Sequence, residues 1–256
     1  MEIITSIKSV KDWKRVYPPA GKDKQWKDGY SAKEFAKIVL DAYPDDNNFE
    51  TDLANKLHLG NDFQLIPEEI YPERLTNFDD NYRGPRHHDL ACIAKKGNKR
   101  IALCFEAKVN ESLDKPLNKY RDSDGKINRV DSILKNFFSK EYTDREFGNI
   151  YYQILSAIAG SIAFAAENNV PDVYFILYQI KPLEVNSATN CEKNKNALEA
   201  FINLFGNRVK KITENIFDLG NLSIERGFED NPSEKMNANV KIAYIEKEVS
   251  GKKVKE

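Results

Sequence analysis

The stretch HHDLACIAKKGNKRIALCFEAKV, from His87 to Val109, decides which fold this chain is expected to adopt. It contains two apolar runs joined by Gly97-Asn98, a dipeptide that favours a tight β-hairpin because its backbone tolerates positive φ. Residues 88–96 and 99–109 are therefore predicted to form two antiparallel strands.

The register of this hairpin is expected to bring charged groups together. If the turn is tight, Lys96 faces Lys99 and the numbers of paired residues sum to 195. Asp89 then lies opposite Glu106, with Cβ atoms about 4.5–5.5 Å apart, a distance at which two carboxylates repel unless a cation or a proton lies between them. Mg²⁺ prefers oxygen ligands and takes one or two protein carboxylates, so a metal site is predicted here. Lys108, one pleat further on the same face, is placed to hold or activate a water molecule.

Each of these residues also has a simpler interpretation. Carboxylates at strand ends are usually solvated, and a Lys two residues from a Glu usually forms a weak surface ion pair. The metal-site interpretation is favoured because three features of the hairpin coincide: the tight turn, the alternation that puts Glu106 and Lys108 on one face, and the register that puts Asp89 opposite Glu106. A transition-metal site at His87, His88 and Asp89 is disfavoured, since adjacent strand residues point to opposite faces and only His87 could join Asp89.

The pattern of Asp89, sixteen intervening residues and then Glu106-Ala107-Lys108 resembles the signature of the PD-(D/E)XK phosphodiesterase superfamily, which has the restriction-endonuclease-like fold. The similarity covers mainly residues 85–180, and a histidine stands before the Asp where the signature has proline. The segments WKDGYSA, FEAKVNES and YYQILSAIAG together are also similar to an uncharacterised bacterial branch of that superfamily.

The resemblance implies an α/β fold of the α+β type, in which a mixed sheet of four or five strands is flanked by helices. It makes Asp89 and Glu106 the ligands of Mg²⁺ or Mn²⁺ and Lys108 the catalytic lysine. Many members add a Glu from the first core helix, for which Glu34 and Glu50 compete, although Glu34 also fits a capping box that begins at Ser31.

Two more residues are placed near the site by the same resemblance. Gln153, on the helix after the hairpin, occupies a position where some members carry a functional Gln, and it would otherwise be a hydrogen-bonding residue of the core. Glu111 continues the second strand and is expected beside the site.

Basic residues follow the hairpin. The net charge is only −1, but residues 81–140 hold 14 Lys and Arg against 7 Asp and Glu. Residues 112–129 are predicted to be a loop whose basic side chains either contact a nucleic-acid backbone or are simply solvated. The candidate contacts are Lys115, Lys119, Arg121, Lys126 and Arg129.

The rest of the chain is interpreted as one domain, 1–256, with an irregular N-terminal arm at 1–30 and a C-terminal extension from about 228 to 256. Helices are predicted at 31–43, 49–57, 131–138, 150–167 and near 193–204. A central strand is predicted at 173–180, a further strand near 240–245, and an acidic loop or edge strand at 63–76. The apolar run at 150–166 is too short for a bilayer, no signal peptide is recognised, and the cysteines suggest neither disulfides nor zinc, so a cytoplasmic location is expected.

These observations predict a Mg²⁺-dependent nuclease that hydrolyses DNA phosphodiester bonds. The alternative is a catalytically inactive module that keeps the nuclease fold in order to bind nucleic acid or a protein partner, which the near-neutral net charge favours. DNA is the expected partner, no membrane is expected, and a homodimer is one arrangement that would cut both strands.

Overall fold

A computed structural model describes residues 7, 9–19, 21–24, 26–41, 48–80, 84–109, 111–182, 188–228 and 231–249. In these residues the helices are α1 (Val10–Val16), α2 (Ser31–Val39), α3 (Phe49–Lys56), α4 (Leu117–Tyr120), α5 (Asp124–Phe138), α6 (Asp144–Phe147), α7 (Tyr152–Glu167) and α8 (Ala188–Asn203). The strands are β1 (Phe63–Thr76), β2 (Arg86–Lys96), β3 (Lys99–Val109), β4 (Asp172–Pro182), β5 (Lys210–Lys211), β6 (Ile216–Phe228) and β7 (Asn231–Val249). Short 3-10 turns occur at Lys22–Lys24 and Gly206–Arg208.

The strands form one mixed sheet in the order β1-β2-β3-β4-β7-β6-β5. Strands β3, β4 and β7 run parallel, while the remaining neighbours pair in antiparallel fashion. The expected mixed sheet flanked by helices is confirmed, but it has seven strands among the described residues instead of four or five.

The hairpin at the centre of the sequence prediction is confirmed. Strands β2 and β3 pair from Leu90↔Phe105 to Lys96↔Lys99, so the paired numbers sum to 195 as expected. Gly97 turns the chain with a φ of 57°, a left-handed conformation that glycine adopts without a steric penalty.

Both faces of the sheet are buried. Helices α5, α7 and α8 contribute to the core on one face, and α1, α2 and α3 contribute to the core on the other. Burial on both faces explains why β4 reads as a continuous apolar run, VYFILYQI, which the sequence indicated as a central strand. No helix in the described ranges is long and apolar enough to cross a membrane.

The N-terminal region differs from its prediction in two places. Residues 1–30 were expected to be irregular, but they contain α1, whose Trp13 is 1% exposed and anchors the segment to the core. Ser31 is the first residue of α2 and not its N-cap, and Tyr30 takes the cap position without a side-chain hydrogen bond. The helix ends at Val39 and so is shorter than predicted; the expected end near residue 43 lies outside the described residues.

The segment expected to be a basic loop is largely helical. Helix α4 lies within it, and α5 begins at Asp124, seven residues before the predicted start at residue 131. The apolar stripe of α5 includes Val130, Ile133 and Leu134, all buried, whereas its first turn is polar and carries no periodic signal.

The C-terminal region belongs to the sheet. Strand β7 lies between β4 and β6, so its residues are not an extension outside the domain; residues 250–256 lie beyond the described part. Strand β6 was not predicted because its alternation is interrupted. Its pairing with β7 shifts register between Asp218 and Gly220, and Gly220 has a φ of 75°.

Candidate active site

A cavity of about 280 Å³ lies at the end of the β2–β3 hairpin opposite to its turn. The start of β2 and the end of β3 supply its charged wall, and the beginnings of α2 and α7 supply part of the remainder. The lining residues are Pro19, Tyr30, Ser31, Ala32, Glu73, Arg86, His87, Asp89, Glu106, Ala107, Lys108, Glu111 and Gln153.

Asp89 lies where the backbone pairing of the hairpin stops. The ladder ends at Leu90↔Phe105, and beyond it the Ala107 N–H donates to Asp89 Oδ2 at 2.6 Å. Asp89 and Glu106 therefore share the cavity as expected, but one Asp89 oxygen is turned toward the backbone of β3. Burial, followed by the charge of Glu106, raises the pKa of Asp89 to about 7.

Glu106 is the most heavily contacted carboxylate of the cavity. Its Oε2 pairs with Arg86 Nη2, and its Oε1 lies 2.8 Å from Lys108 Nζ and accepts from Gln153 Nε2 at 2.5 Å. Burial acts to raise the pKa of Glu106, but the Lys108 and Arg86 cations outweigh it and hold that pKa below its ordinary value. Glu106 is therefore ionised at neutral pH.

Lys108 is the cation of the predicted signature, and only 7% of it is exposed. Burial acts to lower its pKa, whereas Glu106 and Asp89 raise it, and the net shift is upward. Lys108 thus stays protonated in this arrangement. It can donate hydrogen bonds and stabilise negative charge, but it cannot accept a proton.

Glu73 is a third carboxylate of the cavity that the sequence did not reveal. It lies in β1 between the pairs Pro72↔Leu90 and Arg74↔His88, which places it beside Asp89. Its φ is 50°, an uncommon value for a residue with a Cβ. Burial, Asp89 and Glu106 raise the pKa of Glu73 to about 9.

His87 contacts this third carboxylate, with its Nδ1 3.3 Å from Glu73 Oε2. Burial and the Arg86 charge lower the pKa of His87, so the pair consists of a neutral imidazole and a protonated carboxyl at neutral pH. The only sequence signal for Glu73 was its place in an acidic segment interpreted as a loop or an edge strand. Its contact with the site depends on how β1 pairs with β2.

Gln153, predicted from the resemblance, does reach the site. It stands in the first turn of α7, donates to Glu106, and accepts from the Asp114 N–H at 3.1 Å. These two contacts fix the amide orientation: its nitrogen faces the carboxylate and its oxygen faces the backbone.

Glu34 and Glu50 do not line the cavity, so the structure does not bring the expected extra carboxylate from the first core helix to the site. Glu34 Oε1 accepts from the Gly29 N–H at 2.8 Å and from Lys37 Nζ at 2.9 Å. Glu50 Oε2 accepts from the Leu65 N–H at 2.7 Å. Both carboxylates serve local structure, and neither lines the cavity.

Glu111 lines the cavity and caps α2 from outside the helix. Its Oε1 accepts from the Ser31 hydroxyl at 2.8 Å and from the Ser31 N–H at 3.3 Å. A carboxylate at a helix N-terminus satisfies a free N–H group and interacts favourably with the helix dipole. The expected capping box of Ser31 and Glu34 is replaced by this long-range contact.

Two buried amides that the sequence analysis did not single out support the end of β3. Gln179 of β4 donates to the Lys108 carbonyl at 3.0 Å, and Asn194 of α8 donates to Gln179 Oε1 at 3.0 Å and to the Glu111 carbonyl at 2.8 Å. They hold the backbone that carries Lys108. The sequence did contain a signal for Gln179, because it is a polar residue within the apolar run VYFILYQI.

A family model described as Domain of unknown function (DUF6946) matches residues 6–251. The chain belongs to the DUF6946 family. The match includes every residue that lines the cavity. Comparisons with curated proteins and with solved structures gave no match.

The five basic residues predicted as nucleic-acid contacts have different environments in this DUF6946 domain. Lys115 and Lys119 are exposed, Arg121 pairs with Asp131 through 2.7 and 2.8 Å contacts, and Lys126 lies 2.7 Å from Asp122. Arg129, in contrast to these four, is buried.

Arg129 is a structural residue of α5 and not a loop cation. It is 4% exposed, and its guanidinium donates to both oxygens of Asp79 at 2.7 and 3.0 Å. It also donates to Tyr152 Oη at 3.1 Å. The reason is that α5 begins earlier than predicted, so residue 129 falls on the buried side of the helix.

The two adjacent histidines occupy separate environments, as strand parity indicated. His87 lines the cavity with Asp89, whereas His88 is fully buried against Gly160 of α7. Within the described ranges, no cluster of three or more His, Cys, Asp or Glu side chains is arranged to hold a metal ion.

The donor set of the cavity fits a divalent ion held by two carboxylates. Burial and, after it, the charge of neighbouring carboxylates raise the pKa of Asp89 and that of Glu73. A hard cation with oxygen ligands would stabilise the ionised form of such carboxylates, and Mg²⁺ needs only one or two of them from the protein. Asp89 and Glu106 are the residues that would hold it.

Proposed function

We propose that this chain is a divalent-metal-dependent nuclease that hydrolyses phosphodiester bonds of DNA. The observation that carries the proposal is that Asp89, Glu106 and Lys108 line one cavity, with Lys108 Nζ 2.8 Å from Glu106 Oε1. These are the positions that resemble the PD-(D/E)XK signature. The seven-stranded sheet is larger than the core of that superfamily, so the proposal depends on the site and not on the fold.

Mg²⁺ or Mn²⁺ between Asp89 and Glu106 would polarise the scissile phosphate and lower the pKa of a bound water molecule. The protein fixes both carboxylates beforehand. Asp89 is oriented by the Ala107 N–H, and Glu106 is oriented by Gln153. Such preorganisation is a main source of catalytic power because the groups need no rearrangement when charge develops.

Lys108 is assigned to hold the attacking water and to stabilise negative charge in the transition state. The raised pKa keeps it protonated, so it donates hydrogen bonds and does not act as the base. Gln179 holds the backbone of Lys108 through its carbonyl, and the ammonium group itself is held by Glu106 at 2.8 Å.

Lys115 and Lys119 are the best candidates among the predicted residues for contacts with the DNA backbone. Both are exposed, and both follow the end of β3 and the cavity residue Glu111 in the chain. Phosphate contacts from such lysines fix the position of the nucleic acid without reading its sequence.

A second candidate function is a non-catalytic module that binds nucleic acid or a protein partner. The observation that favours it is that both oxygens of Glu106 already have partners within the protein, namely Arg86, Lys108 and Gln153. A carboxylate in such a cluster can be a purely structural ion-pair partner.

Incubation of the purified chain with supercoiled plasmid DNA and Mg²⁺ or Mn²⁺ tests the first candidate. We expect nicked or linear product and a loss of at least about 100-fold in rate for Lys108→Ala, since one preorganised charged donor contributes about that factor. Lys99→Ala is the matched control, because Lys99 belongs to the same strand but is exposed at the turn.

Circular dichroism spectra of both variants establish that they are folded. Equal cleavage by Lys108→Ala and the wild type would contradict the assignment. Saturable DNA binding without metal, together with no product under either ion, would favour the binding module.

A further inference from the structure

Arg86 is a buried cation at the edge of the cavity that the predicted signature does not contain. It is the first residue of β2, its side chain is 9% exposed, and its Nη2 contacts Glu106 Oε2. Its Nε is buried and has no hydrogen-bond partner among the described residues. A guanidinium with an unused donor in a buried position can bind a further acceptor.

The stem of Arg86 is fixed by contact with α7. A Cβ atom on Gly160 would lie 2.6 Å from Arg86 Cγ and 2.9 Å from Arg86 Cβ, so only glycine leaves room for this side chain. Because this contact fixes Cβ and Cγ, a guanidinium that leaves Glu106 can reach new partners only within the cavity.

Glu106 cannot pair with Arg86 and bind a divalent ion through the same oxygen. It is one of the two carboxylates assigned to the ion, and its Oε1 is already contacted by Lys108 and Gln153. Oε2 is the oxygen on which Arg86 and the ion would compete.

An Arg86 released from Glu106 would need another anion, since a buried unpaired charge is strongly destabilising. A phosphodiester matches this need. Its oxygens accept two parallel hydrogen bonds from a guanidinium, and the Nε–H and one Nη–H of arginine form the required fork. The other carboxylates of the cavity already have roles: Asp89 is assigned to the ion, Glu73 contacts His87, and Glu111 accepts from Ser31 at the start of α2.

We propose that Arg86 is an exchangeable phosphate-binding residue: it pairs with Glu106 when the site has no metal and with a phosphate oxygen of nucleic acid when the metal is bound. This inference rests on the proposed function. It adds a residue that couples the occupation of the metal site to the binding of a phosphodiester.

The test uses the full chain, two variants and a control. Arg86→Gln removes the charge and keeps the Cβ and Cγ atoms that pack on Gly160, whereas Arg86→Lys keeps the charge and removes the fork. Arg100→Gln is the matched control, because Arg100 of β3 also pairs with a carboxylate of β1, Glu69, at the other end of the hairpin.

Titration of Mn²⁺ by isothermal calorimetry measures the competition for Glu106. We expect Arg86→Gln to bind Mn²⁺ about tenfold more tightly than the wild type, which corresponds to one lost charged hydrogen bond. Arg86→Lys and Arg100→Gln should bind Mn²⁺ as the wild type does.

Fluorescence anisotropy with a labelled duplex DNA oligonucleotide, in Ca²⁺ to slow hydrolysis, measures the phosphate contact. We expect both Arg86 variants to bind DNA about tenfold to a hundredfold more weakly than the wild type, and Arg100→Gln to bind normally. Opposite changes in the two affinities of Arg86→Gln are the signature of an exchangeable partner, because a merely destabilised site would lose both.

Equal or weaker Mn²⁺ binding by Arg86→Gln overturns the proposal, as does unchanged DNA affinity or the absence of Mn²⁺ binding by the wild type. If Arg86→Gln does not fold, normal DNA affinity of Arg86→Lys overturns it as well. Plasmid cleavage by the wild type separates the two conclusions. If the two affinities change in opposite directions but plasmid is not cleaved, the exchange of Arg86 partners is supported and the nuclease assignment is rejected. If plasmid is cleaved but neither affinity changes, the nuclease assignment is supported and the exchange is rejected.

Discussion

The two ends of the β2–β3 hairpin carry similar residues in opposite environments. At the turn, Lys96 and Lys99 are exposed, and Arg100 pairs with Glu69 through side chains that are 39% and 27% exposed. At the other end, Arg86 pairs with Glu106 through side chains that are 9% and 6% exposed. Each end therefore carries an arginine–glutamate pair, which joins β2 to β3 at the cavity and β3 to β1 at the turn.

The difference lies in what covers the charges. The cavity end is enclosed by the beginnings of α2 and α7, whereas the residues of the turn, 95–99, are exposed. Charges that water screens interact weakly, while buried charges interact strongly and shift one another's pKa. Burial, and not residue type, therefore makes one end a candidate site.

The largest effect we expect comes from removing one partner at each end. Glu106→Gln leaves Arg86 and Lys108 buried without their shared carboxylate, a change that typically costs about 3–5 kcal/mol. Asp89 can then ionise more fully and recover part of the loss, so we expect about 3 kcal/mol. Glu69→Gln should cost at most about 1 kcal/mol, because its pair is partly exposed.

Urea denaturation of both variants measures the two free energies of unfolding. Glu69→Gln serves as the control for the loss of a glutamate charge that faces an arginine. Losses of similar size at both ends would show that burial does not distinguish them.

The parts of the fold that were predicted depend on local signals. The hairpin register follows from Gly97-Asn98 and the alternation of the two strands, and β4 follows from its apolar run. The start of α5 was not predicted because its first turn is polar and lacks helical periodicity. Strand β6 was not predicted because a shift of register interrupts its alternation.

The predicted part of the site has the same origin. Asp89, Glu106 and Lys108 lie on one hairpin, so their proximity depends only on its register. Glu73 and Gln179 come from neighbouring strands, and their positions depend on how the whole sheet assembles. Sequence spacing carries no information on that assembly.

A smaller effect is expected from the contact that encloses the cavity end. Gly160→Ala places a methyl group 2.6 Å from Arg86 Cγ and 2.9 Å from His88 Nε2, so α7 and β2 must move apart. Overpacking of this kind typically costs about 1–3 kcal/mol, and we expect about 2 kcal/mol.

Ser161→Ala is the neighbouring control, since its hydroxyl donates within the helix to the Ala157 carbonyl. Thermal unfolding of the two variants compares them directly. If Gly160→Ala is as stable as the wild type, α7 and β2 are not closely packed at this point.

The smallest effect concerns the pH dependence of stability. The folded chain keeps the proton of Glu73 up to its raised pKa of about 9, whereas the unfolded chain releases it above the ordinary value of 4.5. Between these two values the folded state binds more protons than the unfolded state. The free energy of unfolding therefore falls as the pH rises through this window.

Glu73→Gln removes this proton exchange and should flatten the curve. A full proton difference amounts to about 1.4 kcal/mol per pH unit, and the coupling to Asp89 and Glu106 reduces it. Between about pH 6 and about pH 8 we expect the wild type to lose about 1 kcal/mol more than Glu73→Gln, measured by urea denaturation at each pH. Parallel curves would mean that Glu73 is ionised in the folded chain, and the cavity end would then hold more negative charge than its cations balance.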